Sequence, residues 1–264
     1  MDKPRRQFHL AALAGVAAMT LPGCASRVNS GPEPIRLLSG GAAKGLLERL
    51  GPAFDQANHA RVEGEFGAVG AMRDKLLAGE DADVMILSKP LIDELAQSGR
   101  VLAETVTPLG QVKTGVCLVQ GRPKVEIRDG QDLRKLLSTA SAIYFPDPKK
   151  ATAGIHFMKV LKALGMDDAS RLRVYPDGAV AMAAMARARD PMAVGCTQIT
   201  EILITPGVEL TGLLPPPFEL STTYVAAVVA ASRRKRLARE LIAHLADPKY
   251  ASQRQQAGFV QEPV

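Results

Sequence analysis

Four stretches of this chain place small residues where an apolar strand gives way to a helix. They are Leu37-Leu38-Ser39-Gly40-Gly41-Ala42-Ala43-Lys44-Gly45, Phe66-Gly67-Ala68-Val69-Gly70-Ala71-Met72, Ala151-Thr152-Ala153-Gly154-Ile155-His156-Phe157 and Val174-Tyr175-Pro176-Asp177-Gly178-Ala179. The first turn of a helix leaves backbone N–H groups without intrahelical partners, and the helix dipole adds positive potential at the same place. Small side chains leave those donors open, so the chemistry on offer is the binding of an anion. One such loop is read equally well as a close helix–sheet contact. Four in one chain point to a ligand cleft, because open α/β sheets bind beyond the carboxyl ends of their strands.

The side chains expected near that cleft are Ser39, Lys44, Ser88, Lys113, Thr114, Thr152 and Gln198. Lys44 stands in the first turn of its helix, where the dipole disfavours a cation unless an anion is shared with it; the alternative is an exposed lysine. Lys113 reads either as a ligand contact or as a solvated hinge residue. His156, between Ile155 and Phe157, is either a packed structural residue or the nearest candidate for a base. There is no nucleophile elbow, no pair of carboxylates at a catalytic spacing and no metal triad, so neither a metal nor a cofactor is expected. Cys117 and Cys196 sit in apolar runs and read as small hydrophobes, with no Cys-x-x-Cys or zinc spacing.

The elements that must position these residues alternate. The expected strands are Ile35–Ser39, Arg61–Phe66, Asp83–Leu87, Val112–Val119, Ala142–Phe145, Arg171–Tyr175, Ala193–Cys196 and Thr222–Val229, with helices between most of them, an α/β pattern. The stretches Val106–Gln120 and Gly212–Val229 combine turn residues with extended β-branched runs and read as two crossings between lobes, the second stiffened by Pro215-Pro216-Pro217. Residues 32–112 plus 222–264 then form lobe one and residues 113–221 lobe two, with the ligand between them.

The first 24 residues read as an export signal: Arg5-Arg6 followed by an uncharged stretch from Ala11 to Leu21, too short to span a bilayer, and a small-residue exit. The run Arg5-Arg6-Gln7-Phe8 resembles a twin-arginine signal, with ordinary Sec export as the alternative. Leu21-Pro22-Gly23-Cys24 resembles a lipobox, with lipidation of Cys24 set against cleavage after Ala25. Either route leads to the periplasm, as a soluble or lipid-anchored protein. The formal net charge of +6 is partly that of the signal and partly that of Arg233-Arg234-Lys235-Arg236, a solvated helix start. Few aromatic residues, none interleaved with basic ones, argue against a nucleic-acid partner.

With Gly40-Gly41-Ala42-Ala43-Lys44-Gly45, Phe66-Gly67-Ala68-Val69-Gly70, Leu77-Ala78-Gly79-Glu80-Asp81-Ala82-Asp83-Val84, Ala153-Gly154-Ile155-His156 and Gly207-Val208-Glu209-Leu210 in that order, the chain resembles the periplasmic molybdate-binding proteins of ABC importers. The resemblance implies a two-lobed periplasmic binding protein type II clamshell, α/β, with two crossing hinge strands. It implies a monomer that closes on a small anion and presents it to an inner-membrane ABC permease. In that family two serines and a tyrosine donate to the oxyanion; the matching positions here are Ala42, Ala68 to Gly70, and Gln198, so none of the three hydroxyls is retained. Backbone donors near Ala42, Val69, Gly70, Ala153 and Ala179 remain. Two lysines with amide and hydroxyl donors suit a small organic di- or tricarboxylate better than a bare metal oxyanion. An aconitate isomerase is among the relatives of that family, so the resemblance also implies a second reading, an allylic proton shift with His156 and Lys44 as its residues.

Overall fold

The computed structural model describes residues 34–260; the expected export signal and Cys24 lie outside them. The backbone alternates strand and helix from β1 (Ile35–Gly40), α1 (Lys44–Asn58), β2 (Val62–Gly67), α2 (Val69–Leu77), β3 (Val84–Ser88) and α3 (Lys89–Gln97) to the long β4 (Thr107–Val119). It continues through α4 (Gly130–Thr139), β5 (Ile143–Pro146), α5 (Thr152–Ala163), β6 (Leu172–Tyr175), α6 (Gly178–Ala188), β7 (Val194–Gln198), α7 (Ile199–Leu203), β8 (Val208–Leu213), β9 (Ser221–Val228), α8 (Lys235–Ala246) and α9 (Ala251–Gln256). No helix among the described residues is long and apolar enough to cross a membrane.

The strands form one path, β2-β1-β3-β9-β4-β7-β5-β6, with β8 also on β4. Its two ends are parallel, as strand–helix–strand units require: β1 pairs with β2 and β3, and β5 with β6 and β7. The middle is antiparallel. The first half of β4, Thr107 to Lys113, pairs with β9, and from Thr114 onward the same strand pairs with β7 and β8. One strand therefore runs through both halves of the sheet, and β9 runs beside it at the changeover, where Val112 faces Thr222 and Lys113 faces Ser221.

Packing follows the alternation of side chains along strands. In the first half of the sheet Leu37, Val84, Ile86 and Val225 join Leu46, Phe54, Leu241 and Phe259 in one apolar core. Beyond the changeover, alternate residues go to opposite faces. Val116 and Leu118 meet Leu133, Phe145 and Phe157, while Cys117 and Tyr144 meet Met182, Met185 and Ile202. Both cysteines are free and buried; burial pushes the Cys117 thiol up to about 12 and that of Cys196 well up too, so each behaves as an apolar filler.

Most strand ends differ from the sequence reading by a single residue, and three places differ by more. β4 begins at Thr107, ahead of the expected Val112, because the strand carries an irregularity between Pro108 and Gly110 that hides its alternation. β7 runs on to Gln198. Residues 208–213, partly read as a crossing, form β8, a half-exposed strand on β4 whose sequence Val-Glu-Leu-Thr-Gly-Leu gives little apolar signal.

Candidate functional site

Four helix starts meet at one small cavity. Its wall includes Gly41, Gly67, Ala68 and Val69 from the first half of the sheet, and Pro146, Ala151, Thr152, Ala153, Asp177 and Gly178 from the second. Gln198, Glu201 and Tyr224 complete it. The turn ahead of α1, α2 and α5 all begin without a side-chain cap, so the protein's own side chains leave their first N–H groups open. α6 is different: Asp177 caps it, accepting from Val180 N at 2.8 Å.

The cavity holds about 20 Å³, room for roughly one water molecule. The two halves are closed over it. Gly70 N donates to Lys150 O at 3.0 Å, and Lys150 Nζ lies 3.1 Å from Asp74 Oδ2, joining α2 to the segment ahead of α5. Outside this closure is a larger pocket of about 520 Å³, with Val69, Gly70, Ser88, Thr152 and His156 on its wall and Arg73, Lys149, Lys150 and Lys159 around it.

Glu201 dominates the electrostatics. It is 5% exposed, and its Oε2 accepts from Thr197 Oγ1 at 2.5 Å. The backbone amides of Gly178 and Ala179 also favour its charged form. Removal from water raises this carboxyl to about 7, with the Asp177 charge adding to the rise and the Thr197 hydroxyl and the two amides opposing it. Gly41 and Gly178 stand so near that a Cβ on either would collide with Glu201. Tyr224 is buried beside it, and burial together with the Glu201 charge keeps its phenol protonated.

The expected site residues divide by position. Val69, Thr152, Ala153 and Gln198 line the cavity; Gly70 and Ser88 line the outer pocket; and the Ala179 amide acts on the Glu201 carboxyl, favouring its charge. Ala42 is buried in the turn ahead of α1, and Ser39, fully buried, turns its hydroxyl to Gly40 O at 2.9 Å. Lys44, half-buried, faces Glu48 across a turn of α1 at 3.9 Å. Thr114 and Lys113 line a separate pocket of about 360 Å³ beside Pro215 and Pro216. His156 stands in the outer pocket with its Nε2 2.8 Å from Phe218 O. The Gln198 amide, turned with its nitrogen toward Val112 O and Lys113 O at 3.2 Å each, accepts from Thr222 Oγ1 at 3.3 Å. No cluster of metal-ligating side chains occurs among the described residues.

Glu201, Tyr224, Gly41 and Gly178 were not anticipated as a group. The one local signal is a lone acidic residue in the otherwise uncharged run Gly195-Cys196-Thr197-Gln198-Ile199-Thr200-Glu201-Ile202, four positions after a threonine that reaches it over a helical turn.

Two sheet halves sharing a continuous strand, closed over a cavity walled by helix starts, define a two-lobed solute-binding protein. Residues 35–260 match the bacterial extracellular solute-binding protein family, and the chain belongs to it. It is similar in structure to a periplasmic molybdate-binding protein of Azotobacter vinelandii, with a TM-score of 0.73 at 18% identity over 87% of this chain and 100% of that one. It is similar also to the sulfate-binding protein SubI of Mycobacterium tuberculosis, with a TM-score of 0.70 at 19% identity over 87% of each chain. In sequence it is 26% identical to an aconitate isomerase of a Pseudomonas species over 244 residues, 87% of this chain and 88% of that protein.

Proposed function

We propose that this protein binds a small anion between its lobes outside the cytoplasm and delivers it to an inner-membrane ABC permease. Residues 32–112 plus 222–264 act as lobe one and 113–221 as lobe two. The observation that carries the reading is the convergence of the helix starts at Gly41, Val69, Thr152 and Gly178 on one enclosed cavity, three of them lacking a side-chain cap. An oxyanion or carboxylate placed there receives backbone donors from both lobes and stabilises the closed form by its extra affinity for it. The hinge is the β4–β9 pair at Lys113 and Thr222. Membership of an extracellular family and the signal-like first 24 residues support export to the periplasm, by either of the routes the signal leaves open.

A thermal-shift screen against molybdate, tungstate, sulfate, phosphate and a set of di- and tricarboxylates tests this, since a ligand at ~100 times its Kd adds ~2.7 kcal/mol. One anion is expected to raise the melting temperature clearly. A flat response to every anion would remove the reading.

A second reading, an isomerase that moves a proton along an allylic tricarboxylate, is favoured by the likeness to the Pseudomonas enzyme over most of both chains. The cavity supplies a carboxyl, Glu201, raised to about 7, suited to take a proton from the methylene carbon and return one to the other end of the allyl system as the double bond shifts. Of the residues expected for this role, His156 stands in the outer pocket and Lys44 faces Glu48 on α1, away from the cavity wall. Incubating the purified protein with cis-aconitate and following the trans isomer by proton NMR separates the two readings.

A further inference from the structure

The start of α6 already faces an anion, and it is the protein's own. Glu201 Oε2 takes the Thr197 hydroxyl and lies against Gly178, the Gly178 and Ala179 amides favour its charged form, and Oε1 lies against Gly41. The absence of a Cβ at residues 41 and 178 is what lets the carboxyl fit between two helix starts. No lysine or arginine lines this cavity; its other charged group is Asp177, which caps α6. Tyr224, the remaining titratable group facing Glu201, is neutral. A second full negative charge beside Glu201 therefore meets repulsion without a cation to offset it, in a volume from which water is nearly excluded.

We propose that Glu201 makes the cleft proton-coupled: an anion without an acidic hydrogen enters together with one proton, which comes from solvent and rests on the Glu201 carboxyl. Protonation removes the like charge and turns Glu201 into a hydrogen-bond donor toward the ligand. An anion that carries its own acidic hydrogen meets ionised Glu201 as an acceptor instead, so Glu201 also decides which anions bind above neutrality. The titration range of this carboxyl, about 7, lies where such coupling acts at ordinary pH. The inference rests on the anion-binding reading above.

The test is isothermal titration of the mature protein and of E201Q with sulfate, molybdate and trans-aconitate between about pH 6.5 and 8.5, in pairs of buffers with different ionisation heats. For wild type, Kd is expected to rise roughly twentyfold across that range, about tenfold for each pH unit well above the midpoint, with uptake of close to one proton at the upper end. Glutamine mimics the protonated carboxyl, so E201Q should keep a nearly constant Kd and take up no proton. The wild-type proton count stands alone if E201Q does not fold. Binding of any probe by wild type without proton uptake at about pH 8.5, or with the same uptake in E201Q, overturns the proposal and leaves the anion site intact. No heat from any of the three probes in either protein at any pH overturns the anion site and the coupling together.

Discussion

At Glu201, desolvation works against ionisation, and its sign fixes how stability depends on pH. Unfolded, this carboxyl titrates at its ordinary 4.5; folded, it titrates at about 7. Between those values the native state holds more protons than the unfolded state, so native stability falls as pH rises through that window and levels off above it, a loss on the order of 3 kcal/mol. Urea denaturation of wild type and E201Q should therefore diverge, with wild type losing that much relative to the variant between about pH 4.5 and 7.5; parallel profiles would show that the carboxyl titrates normally. The neighbouring glycine gives a second test. Gly178→Ala puts a methyl group into Glu201 and Thr197 and should cost about 1–3 kcal/mol, and Gly178→Ala with Glu201→Ala should recover much of it, because residues in contact are not additive. Simple addition of the two single losses would contradict the contact.

Helix α5 shows how an element is set against its strand so that a small residue decides the site. A Cβ on Gly154 would run into the carbonyl oxygens of Pro146 and Asp147, backbone that cannot swing aside. Gly154→Ala should therefore lower stability by roughly 1–3 kcal/mol and weaken whatever thermal shift the ligand gives, since the start of α5 must retreat from the cavity; unchanged melting with and without ligand would show the approach to be looser than it is drawn. That close approach was legible in the sequence as a run of small residues after Tyr144-Phe145-Pro146, as were the buried strands around Leu37, Val84, Ile143 and Val225, whose apolar runs leave one reading. β8 was not, because an edge strand with one buried residue in six carries almost no pattern. The cavity residues split the same way. Val69, Thr152 and Ala153 follow strands at helix starts, and that local rule finds them. Glu201 and Tyr224 belong to a five-residue helix and to the middle of β9, and only the folded sheet brings them beside Gly41 and Gly178.

Across the whole molecule, the Lys150–Asp74 pair is one of the contacts that join the two sheet halves. The Lys150–Asp74 pair is about half exposed on both sides, and such pairs contribute only about 0–1 kcal/mol. Asp74 is held below its ordinary range first by Arg73 and then by Lys150, so removing Lys150 leaves the carboxylate a partner on its own helix. The Gly70–Lys150 bond uses backbone atoms alone and survives a side-chain change. Lys150→Ala should accordingly shift the open–closed balance by no more than about fivefold, weaken anion binding by a similar factor, and lose this effect in high salt as screening removes the pair. Small-angle scattering supplies the direct reading, a larger radius of gyration for the unliganded variant and compaction of both proteins with ligand. If wild type and Lys150→Ala scatter alike without ligand and bind it equally, the pair is incidental to closure, and the proposed hinge at Lys113 and Thr222, where Gln198 of β7 meets Thr222 of β9, is left to set the closed geometry.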